Sequence, residues 1–186
     1  MEVYLIRHTT PQVEKGICYG QTDLELASTF KKEFEKVQSQ LPPSFDLVYS
    51  SPLKRCSQLA QYIGKAVIHE ESLKELDFGG WEMKRWSEID QAQLNDWMGD
   101  FVEYQVPGGE SFTQLIERIE SFWLGLLAKP VDKVAIFTHA GPIRCIIGKV
   151  LGMPHQNYFK LEHSYGGVSK IQVAEGFQKI EFINHY

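Results

Sequence analysis

Two short strings place a histidine directly after an apolar run of the kind that forms a buried strand. The first is Leu5-Ile6-Arg7-His8-Thr9, near the start of the chain, and the second is Phe137-Thr138-His139-Ala140-Gly141, near its end. Arg7 adds a permanent positive charge immediately before His8. A neutral imidazole nitrogen can attack phosphorus, and fixed positive charge nearby stabilises phosphate oxygens. The strings therefore favour a phosphoryl-transfer site.

Basic residues at three predicted strand ends could hold the phosphate. Arg7 follows the first strand, His139 follows the fourth, and Arg55 lies one turn into the helix after the second. A planar guanidinium stays charged and can bind two oxygens at once, so Arg7 and Arg55 are the candidate phosphate ligands. His139, if protonated, would add a third positive group. We expect the second ring nitrogen of the candidate nucleophile, His8, to donate to a backbone carbonyl or a carboxylate.

The oxygen that leaves with the alcohol needs a proton, which a nearby carboxylic acid could supply. Glu75 is the first candidate and Asp77 the second, although Asp77 is more typical of a local hydrogen-bonding or capping residue. Because arginine and histidine supply the positive charge, this scheme needs no metal ion and no cofactor. The alternative for each of these residues is structural: a strand-end histidine can be a core residue, and Arg55 can form a surface ion pair.

The composition limits the class of partner. With 186 residues, 43% hydrophobic and 23% charged, the chain can form one domain with a full core over residues 1–186. Its net charge of −5 argues against nucleic acid as the main partner. A local basic cluster can still bind a small phosphorylated metabolite inside an acidic protein. The oligomeric state stays open.

The cysteines and the apolar runs indicate the compartment. Cys18, Cys56 and Cys145 are odd in number and widely spaced, so they predict free thiols in a reducing compartment. The chain begins without the basic and apolar segments of a signal peptide, and no apolar run approaches the ~20 residues that span a bilayer. We therefore expect a cytoplasmic protein without a membrane partner.

Apolar periodicity predicts strands that alternate with helices. The predicted strands cover residues 3–6, 45–49, 67–68 and 134–137, with two more within 166–184, and the predicted helices cover about 28–41, 52–65, 87–98, 111–129 and 141–151. This alternation indicates an α/β fold with a mainly parallel sheet and helices on both faces, whose ligands bind beyond the carboxyl ends of the strands. Ser51-Pro52 predicts the start of the second helix, whose dipole could add to the phosphate site, and Ser111 with Gln114 predicts a capping box.

Residues 72–108 are less regular, and we interpret them as a lid-like insertion. They contain three of the four tryptophans. The simplest interpretation of Trp81, Trp86, Trp97 and Tyr104 is that they pack this segment. The other interpretation places one or two of them against an aromatic ring of the substrate.

Four strings in matching order resemble the histidine phosphatase superfamily, which includes the cofactor-dependent phosphoglycerate mutases. They are Leu5-Ile6-Arg7-His8-Thr9, Ser50-Ser51-Pro52-Leu53-Lys54-Arg55, Leu73-Lys74-Glu75 with Phe78-Gly79, and Thr138-His139-Ala140-Gly141-Pro142-Ile143-Arg144. The resemblance implies a three-layer α/β/α fold of the phosphoglycerate mutase type. It also implies that His8 is the phosphorylated nucleophile and Glu75 the proton donor, with Arg7, Arg55 and His139 forming the phosphate pocket.

Further strings look most like the α-ribazole phosphatase branch, which removes the 5′-phosphate of α-ribazole phosphate during assembly of the cobalamin nucleotide loop. They are Arg7-His8-Thr9-Thr10-Pro11, Cys18-Tyr19-Gly20-Gln21-Thr22-Asp23-Leu24 and Glu75-Leu76-Asp77-Phe78-Gly79-Gly80-Trp81-Glu82. Thr9 stands where most of the superfamily has glycine, so we expect extended or helical backbone there. Thr9, Gln21 and Ala140 are further candidate substrate contacts.

The favoured function is hydrolysis of a phosphomonoester, and two alternatives remain. A phosphoglycerate mutase would use longer insertions and a C-terminal tail over the site, whereas this chain ends soon after its last predicted strands. A catalytically silent module that binds a phosphorylated ligand could lack the nucleophile or the acid. The complete set of Arg7, His8, Arg55, Glu75 and His139 argues against that module.

Overall fold

Six strands and five α-helices alternate along residues 1–64 and 66–186, which the computed structural model describes. The strands are β1 (Glu2–Arg7), β2 (Leu47–Ser50), β3 (Val67–His69), β4 (Lys133–Thr138), β5 (Val168–Ala174) and β6 (Phe177–His185). The helices are α1 (Phe30–Gln38), α2 (Lys54–Ile63), α3 (Gln91–Gly99), α4 (Phe112–Leu127) and α5 (Ala140–Val150). Every predicted strand and helix is therefore present, with shifted ends.

One mixed sheet contains all six strands in the order β3-β2-β4-β1-β5-β6. The strands β1 to β4 run parallel to one another, and β5 and β6 form an antiparallel extension beside β1. The predicted α/β fold with a mainly parallel sheet is confirmed. Because β1 and β4 are neighbours with Arg7 opposite Thr138, the histidines that follow these two strands leave the sheet side by side.

Helices cover both faces of the sheet because successive strand residues point to opposite faces. Val3 and Leu5 of β1 pack in one core with residues of α4 and α5. Tyr4 and Ile6 of the same strand pack in a second core with residues of α1 and α2. The result is the expected three-layer α/β/α arrangement.

The ends of three helices show how well local signals predict boundaries. At the start of α4 the predicted capping box forms: the N–H of Gln114 donates to Ser111 Oγ at 3.3 Å, and the N–H of Ser111 donates to Gln114 Oε1 at 2.8 Å. α1 is shorter than predicted because the N–H groups of residues 40 and 41 donate to carbonyls three residues back, as in a 3-10 turn. Pro42-Pro43 then prevents the helix from continuing. α2 ends at Ile63, and Lys65, the last residue predicted for it, lies outside the described residues.

The start of α2 differs from the prediction. Ser51 donates its backbone N–H to the carbonyl of Phe137 at 2.9 Å, which keeps this residue extended beside β4. The helix begins at Lys54, and the N–H of Lys54 donates to Asp23 Oδ1 at 2.7 Å. The prediction that Ser51 is the N-cap of this helix is therefore wrong. The Asp23 carboxylate takes this first N–H of the helix, and the contribution of the helix dipole to the phosphate site stays a prediction.

The segment between β3 and α4 is irregular, as predicted. Besides α3 it contains three single-turn 3-10 helices, which are Glu71–Leu73, Gly79–Trp81 and Trp86–Glu88. α3 begins later than residue 87 because Asp90 caps it: Asp90 Oδ1 accepts the N–H of Gln93 at 3.0 Å.

Aromatic side chains form a separate small core inside this segment. The ring centroids of Trp81 and Tyr104 lie 6.2 Å apart in a stacked pair, and those of Trp86 and Trp97 lie 5.8 Å apart. Cys18 and Val106 are buried in the same cluster. The interpretation of these rings as packing is confirmed.

The predicted free thiols are also present, since all three cysteines are buried and unpaired. Across residues 1–64 and 66–186, no helix combines the length and apolar character that crossing a bilayer requires. Within the same two ranges, no group of three or more histidine, cysteine, aspartate or glutamate side chains could hold a metal ion.

Candidate active site

A cavity of about 170 Å³ opens beyond the carboxyl ends of β1 and β4. Its polar lining comes from Arg7, His8, Glu75 and Arg144, and its apolar lining includes the rings of Phe78, Phe112 and Phe159. Ligands of parallel sheets bind at this edge, so the predicted place is where the cavity lies. None of the four clustered aromatics Trp81, Trp86, Trp97 and Tyr104 lines it, so the interpretation that placed them against a substrate ring has no support.

The ring of His8 has a defined tautomer. Its Nδ1 lies 2.8 Å from the carbonyl oxygen of Thr9, and because a carbonyl can only accept, Nδ1 carries the proton. Nε2 is therefore the unprotonated nitrogen. Burial, reinforced by the charges of Arg55 and Arg7, holds the pKa of His8 well below its usual value. The expected backbone partner for the second nitrogen is present.

His139 lies next to His8, with ring centroids 5.0 Å apart. Arg55 Nε donates to His139 Nδ1 at 3.2 Å, so the proton of this ring sits on Nε2, which donates to Ser51 Oγ at 2.9 Å. Burial and the Arg55 charge hold the pKa of His139 well below its usual value. In this geometry His139 is neutral, which differs from the charged form considered from the sequence. The reason is that a guanidinium donor faces the nitrogen that would take the second proton.

The two arginines are held in different ways. Arg55 is fully buried, and besides its bond to His139 it donates from Nη1 to the carbonyl of Thr22 at 2.8 Å and from Nη2 to that of Gly20. Arg7 donates from Nη1 to the carbonyl of His163. Neither arginine forms an ion pair with a carboxylate among the described residues, so both retain an uncompensated charge.

Two tyrosines connect the two arginines. The guanidinium carbon of Arg7 lies 4.0 Å from the ring centroid of Tyr165, and that of Arg55 lies 5.5 Å from the ring centroid of Tyr19. The two hydroxyl groups share a hydrogen bond of 2.6 Å. The Tyr165 ring also approaches the ring of His8, with centroids 5.4 Å apart. Cation–π contacts of this kind hold a charged head without neutralising it.

Glu75 presents its carboxylate to the cavity and to the start of α5. The N–H of Gly141 lies 3.2 Å from each carboxylate oxygen, and the N–H of Leu76 donates to Oε1 at 2.9 Å. A Cβ atom on Gly141 would lie 2.1 Å from Oε1, so this close approach requires glycine. Arg118 Nη2 donates to the Glu75 carbonyl at 2.9 Å and fixes the backbone behind it.

Asp77, the second acid candidate, serves the local turn. Its Oδ1 accepts the N–H of Gly79 at 2.8 Å, and its side chain does not line the cavity. The structure therefore favours Glu75 over Asp77 as the group that could reach a substrate.

The three further candidate contacts differ in position. Ala140 lines the cavity. Thr9 is buried without positive φ, as expected, and its Oγ1 has no hydrogen-bond partner among the described residues. Gln21 donates from Nε2 to the backbone carbonyl of Glu75 at 3.2 Å, and it does not line the cavity.

Some residues of the site had no role in the sequence interpretation. Arg144 is half-buried in the cavity wall, with Nε donating to the carbonyl of Leu161 at 2.8 Å and the guanidinium 5.1 Å from the Phe159 ring centroid. Its place in the same string as His139, one turn into α5, was a signal that could have indicated it. Tyr165 gave no such signal, because only the turn before β5 brings it to His8.

The fold and these contacts can be compared with known proteins. A family model described as histidine phosphatase superfamily (branch 1) matches residues 3–185. The chain belongs to this superfamily. The resemblance carried by the four strings is thereby confirmed. Of the predicted site residues, Arg7, His8 and Glu75 line the cavity, whereas His139 and Arg55 do not line it and are buried beside it, with His139 packed against His8 and bonded to Arg55.

Individual relatives agree with this assignment. The adenosylcobalamin/alpha-ribazole phosphatase of Escherichia coli is 25% identical over 99% of this chain and 96% of its own length. Phosphoserine phosphatase 1 of Hydrogenobacter thermophilus is 25% identical over 94% of this chain and 88% of its own. The crystal structure of the alpha-ribazole phosphatase from Shigella flexneri superposes with a TM-score of 0.92, at 25% identity, over 100% of this chain and 96% of that one.

The buried imidazoles predict that this histidine phosphatase loses stability in mild acid. Burial keeps the pKa of His8, His139 and His163 below the usual value in the folded chain, that of His163 at about 4. In the unfolded chain each titrates near pH 6.5, so below that pH the unfolded state binds more protons and the free energy of unfolding falls. The loss is about 1.4 kcal/mol per pH unit for each imidazole that stays neutral only in the folded state.

Urea unfolding at intervals from pH 7 to pH 5 measures this slope. His163→Gln, whose amide nitrogen can take the place of the imidazole Nε2 beside Ser169 Oγ, should reduce it. A free energy of unfolding that is constant or rises over this range would contradict the expected neutral imidazoles.

Proposed function

We propose that the protein is a phosphomonoester hydrolase that acts through a phosphohistidine on a small phosphorylated metabolite. The observation that carries this proposal is the tautomer of His8. Because Nδ1–H is bound to the Thr9 carbonyl, the unprotonated Nε2 is the nitrogen available to a phosphorus atom, beside the uncompensated charges of Arg7 and Arg55. A neutral nucleophile next to fixed cations suits an anionic electrophile.

The reaction proceeds in two balanced steps. His8 Nε2 attacks phosphorus, the bond from phosphorus to the alcohol oxygen breaks, and protonated Glu75 gives its proton to that oxygen. Water then attacks the phosphohistidine and gives a proton back to Glu75, which releases phosphate and restores Nε2. Arg7 and Arg55 stabilise the phosphoryl oxygens in both steps, so the scheme requires no metal ion.

For the substrate, α-ribazole 5′-phosphate in assembly of the cobalamin nucleotide loop is the candidate that the sequence strings favour. Two relatives with that activity, from Escherichia coli and Shigella flexneri, align over almost the whole chain. The apolar part of the cavity, with the rings of Phe78, Phe112 and Phe159, suits an aromatic base.

A second substrate class is favoured by Arg144. Its guanidinium lines the cavity, only its Nε is bonded within the described part of the chain, and no carboxylate there forms an ion pair with it. A guanidinium with free Nη groups binds a carboxylate through two parallel bonds. This arrangement suits small phosphorylated acids, the kind of substrate on which the phosphoserine phosphatase relative acts.

The first prediction concerns the nucleophile. His8→Ala should abolish turnover and incorporation of radioactive phosphate from a labelled ester, because no other nitrogen takes the place of Nε2. The matched variant His69→Ala, at the exposed end of β3, should retain both. Turnover should persist in a metal chelator. Radioactive phosphate bound to His8→Ala protein, or activity that is lost in the chelator and restored only by a divalent metal, would contradict this mechanism.

The second prediction concerns the acid. Glu75→Gln should slow alkyl phosphates by about 10²–10⁴-fold and p-nitrophenyl phosphate much less, because only the alkoxide needs a proton to leave. Gly141→Ala should show the same pattern, since its methyl group would lie 2.1 Å from Glu75 Oε1. Gly125→Ala in α4, where a Cβ meets nothing within 4 Å, is the control. Equal losses for good and poor leaving groups would exclude Glu75 as the acid.

The third prediction ranks the substrate classes. 3-Phosphoglycerate carries a carboxylate where glycerol 1-phosphate has a hydroxymethyl group, so comparing phosphate release from the two esters measures what the carboxylate contributes. If Arg144 binds it, kcat/KM should favour the acid by about tenfold or more, and Arg144→Gln should bring the ratio towards one. Arg85→Gln, on an exposed arginine paired with Glu14, should keep the ratio.

α-Ribazole 5′-phosphate is assayed together with these two esters. Two results together would exclude phosphorylated acids as the substrate class and support the cobalamin assignment. The first is a higher kcat/KM for α-ribazole 5′-phosphate than for every phosphorylated acid, and the second is a ratio of 3-phosphoglycerate to glycerol 1-phosphate that Arg144→Gln leaves unchanged. Conversion of 3-phosphoglycerate to its isomer without phosphate release, in the presence of bisphosphoglycerate, would show a mutase.

A further inference from the structure

Glu82 lies outside the cavity, yet its carboxylate is bonded on both oxygens to the loop that holds Arg55. Oε1 accepts the N–H of Gln21 at 2.7 Å and that of Phe78 at 3.2 Å. Oε2 accepts the N–H of Thr22 at 2.6 Å and the Thr22 hydroxyl. All these donors are neutral, and within the described ranges no cation forms an ion pair with Glu82. The carboxylate is committed to the loop.

The other side of the same loop faces Arg55. Gly20 and Gln21 share one peptide unit, whose oxygen accepts from Arg55 Nη2 and whose N–H donates to Glu82. Thr22 is bound on both sides through two successive peptide units: its carbonyl accepts from Arg55 Nη1 at 2.8 Å, and its N–H donates to Glu82. The dipole of the Gly20–Gln21 peptide points its negative end at the guanidinium and its positive end at the carboxylate. Such aligned bonds polarise and strengthen one another.

Packing prevents the loop from relaxing outwards. A Cβ atom at Gly20 would lie 1.8 Å from the carbonyl oxygen of Leu76 and 3.0 Å from Glu82 Oε1. The Gly20 peptide is therefore pressed against the segment that carries Glu82, and glycine is the residue that permits this contact. The position of Arg55 thus depends on where Glu82 holds the loop.

We propose that Glu82 is a positioning residue for phosphate binding, acting on Arg55 through the Gly20–Gln21 peptide and through Thr22. Glu82 therefore contacts Arg55 through peptide groups and forms no ion pair with it among the described residues. Nη1 and Nη2 each donate one N–H to a loop carbonyl, and each has a second N–H that could donate to an anion. The inference rests on the proposed function only in assigning phosphate binding to Arg55.

Binding of orthovanadate, measured by titration calorimetry, tests the proposal without requiring turnover. Glu82→Gln should raise the vanadate Kd about tenfold or more, because the amide NH2 cannot accept the bonds from the loop. Glu82→Asp keeps both acceptor oxygens and should restore part of the affinity. Glu88→Gln changes an exposed carboxylate of the same segment that accepts the Arg85 N–H, its one hydrogen bond within residues 1–64 and 66–186, and this variant should bind vanadate as the unchanged chain does.

A double-mutant cycle with Arg55→Lys separates this role from general stabilisation. If Glu82 acts through Arg55, vanadate binding of the double variant should be about as weak as that of Arg55→Lys alone. The proposal would be overturned if the losses of vanadate affinity of the two single variants multiply in the double variant, or if Glu82→Gln protein binds vanadate normally. If Glu82→Gln does not fold by circular dichroism, Glu82→Asp takes its place in the cycle with the same expected outcomes.

The same measurements distinguish failure of the proposed role of Glu82 from failure of the proposed hydrolase activity. Vanadate binding that follows the expected cycle in a protein without turnover would support the role of Glu82 and reject hydrolysis. Turnover with a cycle that shows independent effects would leave hydrolysis standing and reject the role of Glu82.

Discussion

Backbone pairing at the ends of β1, β4 and β2 holds the site together. The N–H of His8 donates to the carbonyl of Thr138 at 3.0 Å, which extends the ladder one residue beyond β1. The N–H of Ser51 donates to the carbonyl of Phe137 at 2.9 Å and adds the end of β2. The imidazoles that follow β1 and β4 are positioned by strand register, so their spacing does not depend on a mobile loop.

This arrangement concentrates positive charge where water is scarce. Arg7 stacks on Tyr165 and Arg55 donates to backbone carbonyls, and among the described residues neither pairs with a carboxylate. The imidazoles of His8 and His139 respond by staying neutral, since burial and the neighbouring guanidinium groups disfavour a further proton. Aromatic faces and carbonyl dipoles hold the cations in place without removing the charge that an anion would need.

Two acidic residues of the irregular segment between β3 and α4 shape the site, Glu75 from the cavity wall and Glu82 from behind the loop that binds Arg55. Glu75 is held by the N–H groups of Leu76 and Gly141, and Glu82 is held by N–H groups of the loop beneath Arg55. Gln21 joins the two carboxylate positions by donating to the carbonyl of Glu75 at 3.2 Å. The aromatic cluster behind this segment gives it a core of its own, so an irregular backbone can still place both carboxylates accurately.

The residue types, their order and the alternation of strands and helices were enough to determine the fold class, the superfamily and the candidate site, because buried strands and capping residues leave local patterns. Helix starts were less predictable: Ser51 has the chemistry of a cap, but sheet pairing with Phe137 keeps it extended. Only the tertiary structure decided the tautomers of His8 and His139, the position of Glu75 at the cavity and of Asp77 in the local turn, and the contacts of Glu82. Each of these depends on hydrogen bonds between distant segments, which no local pattern encodes.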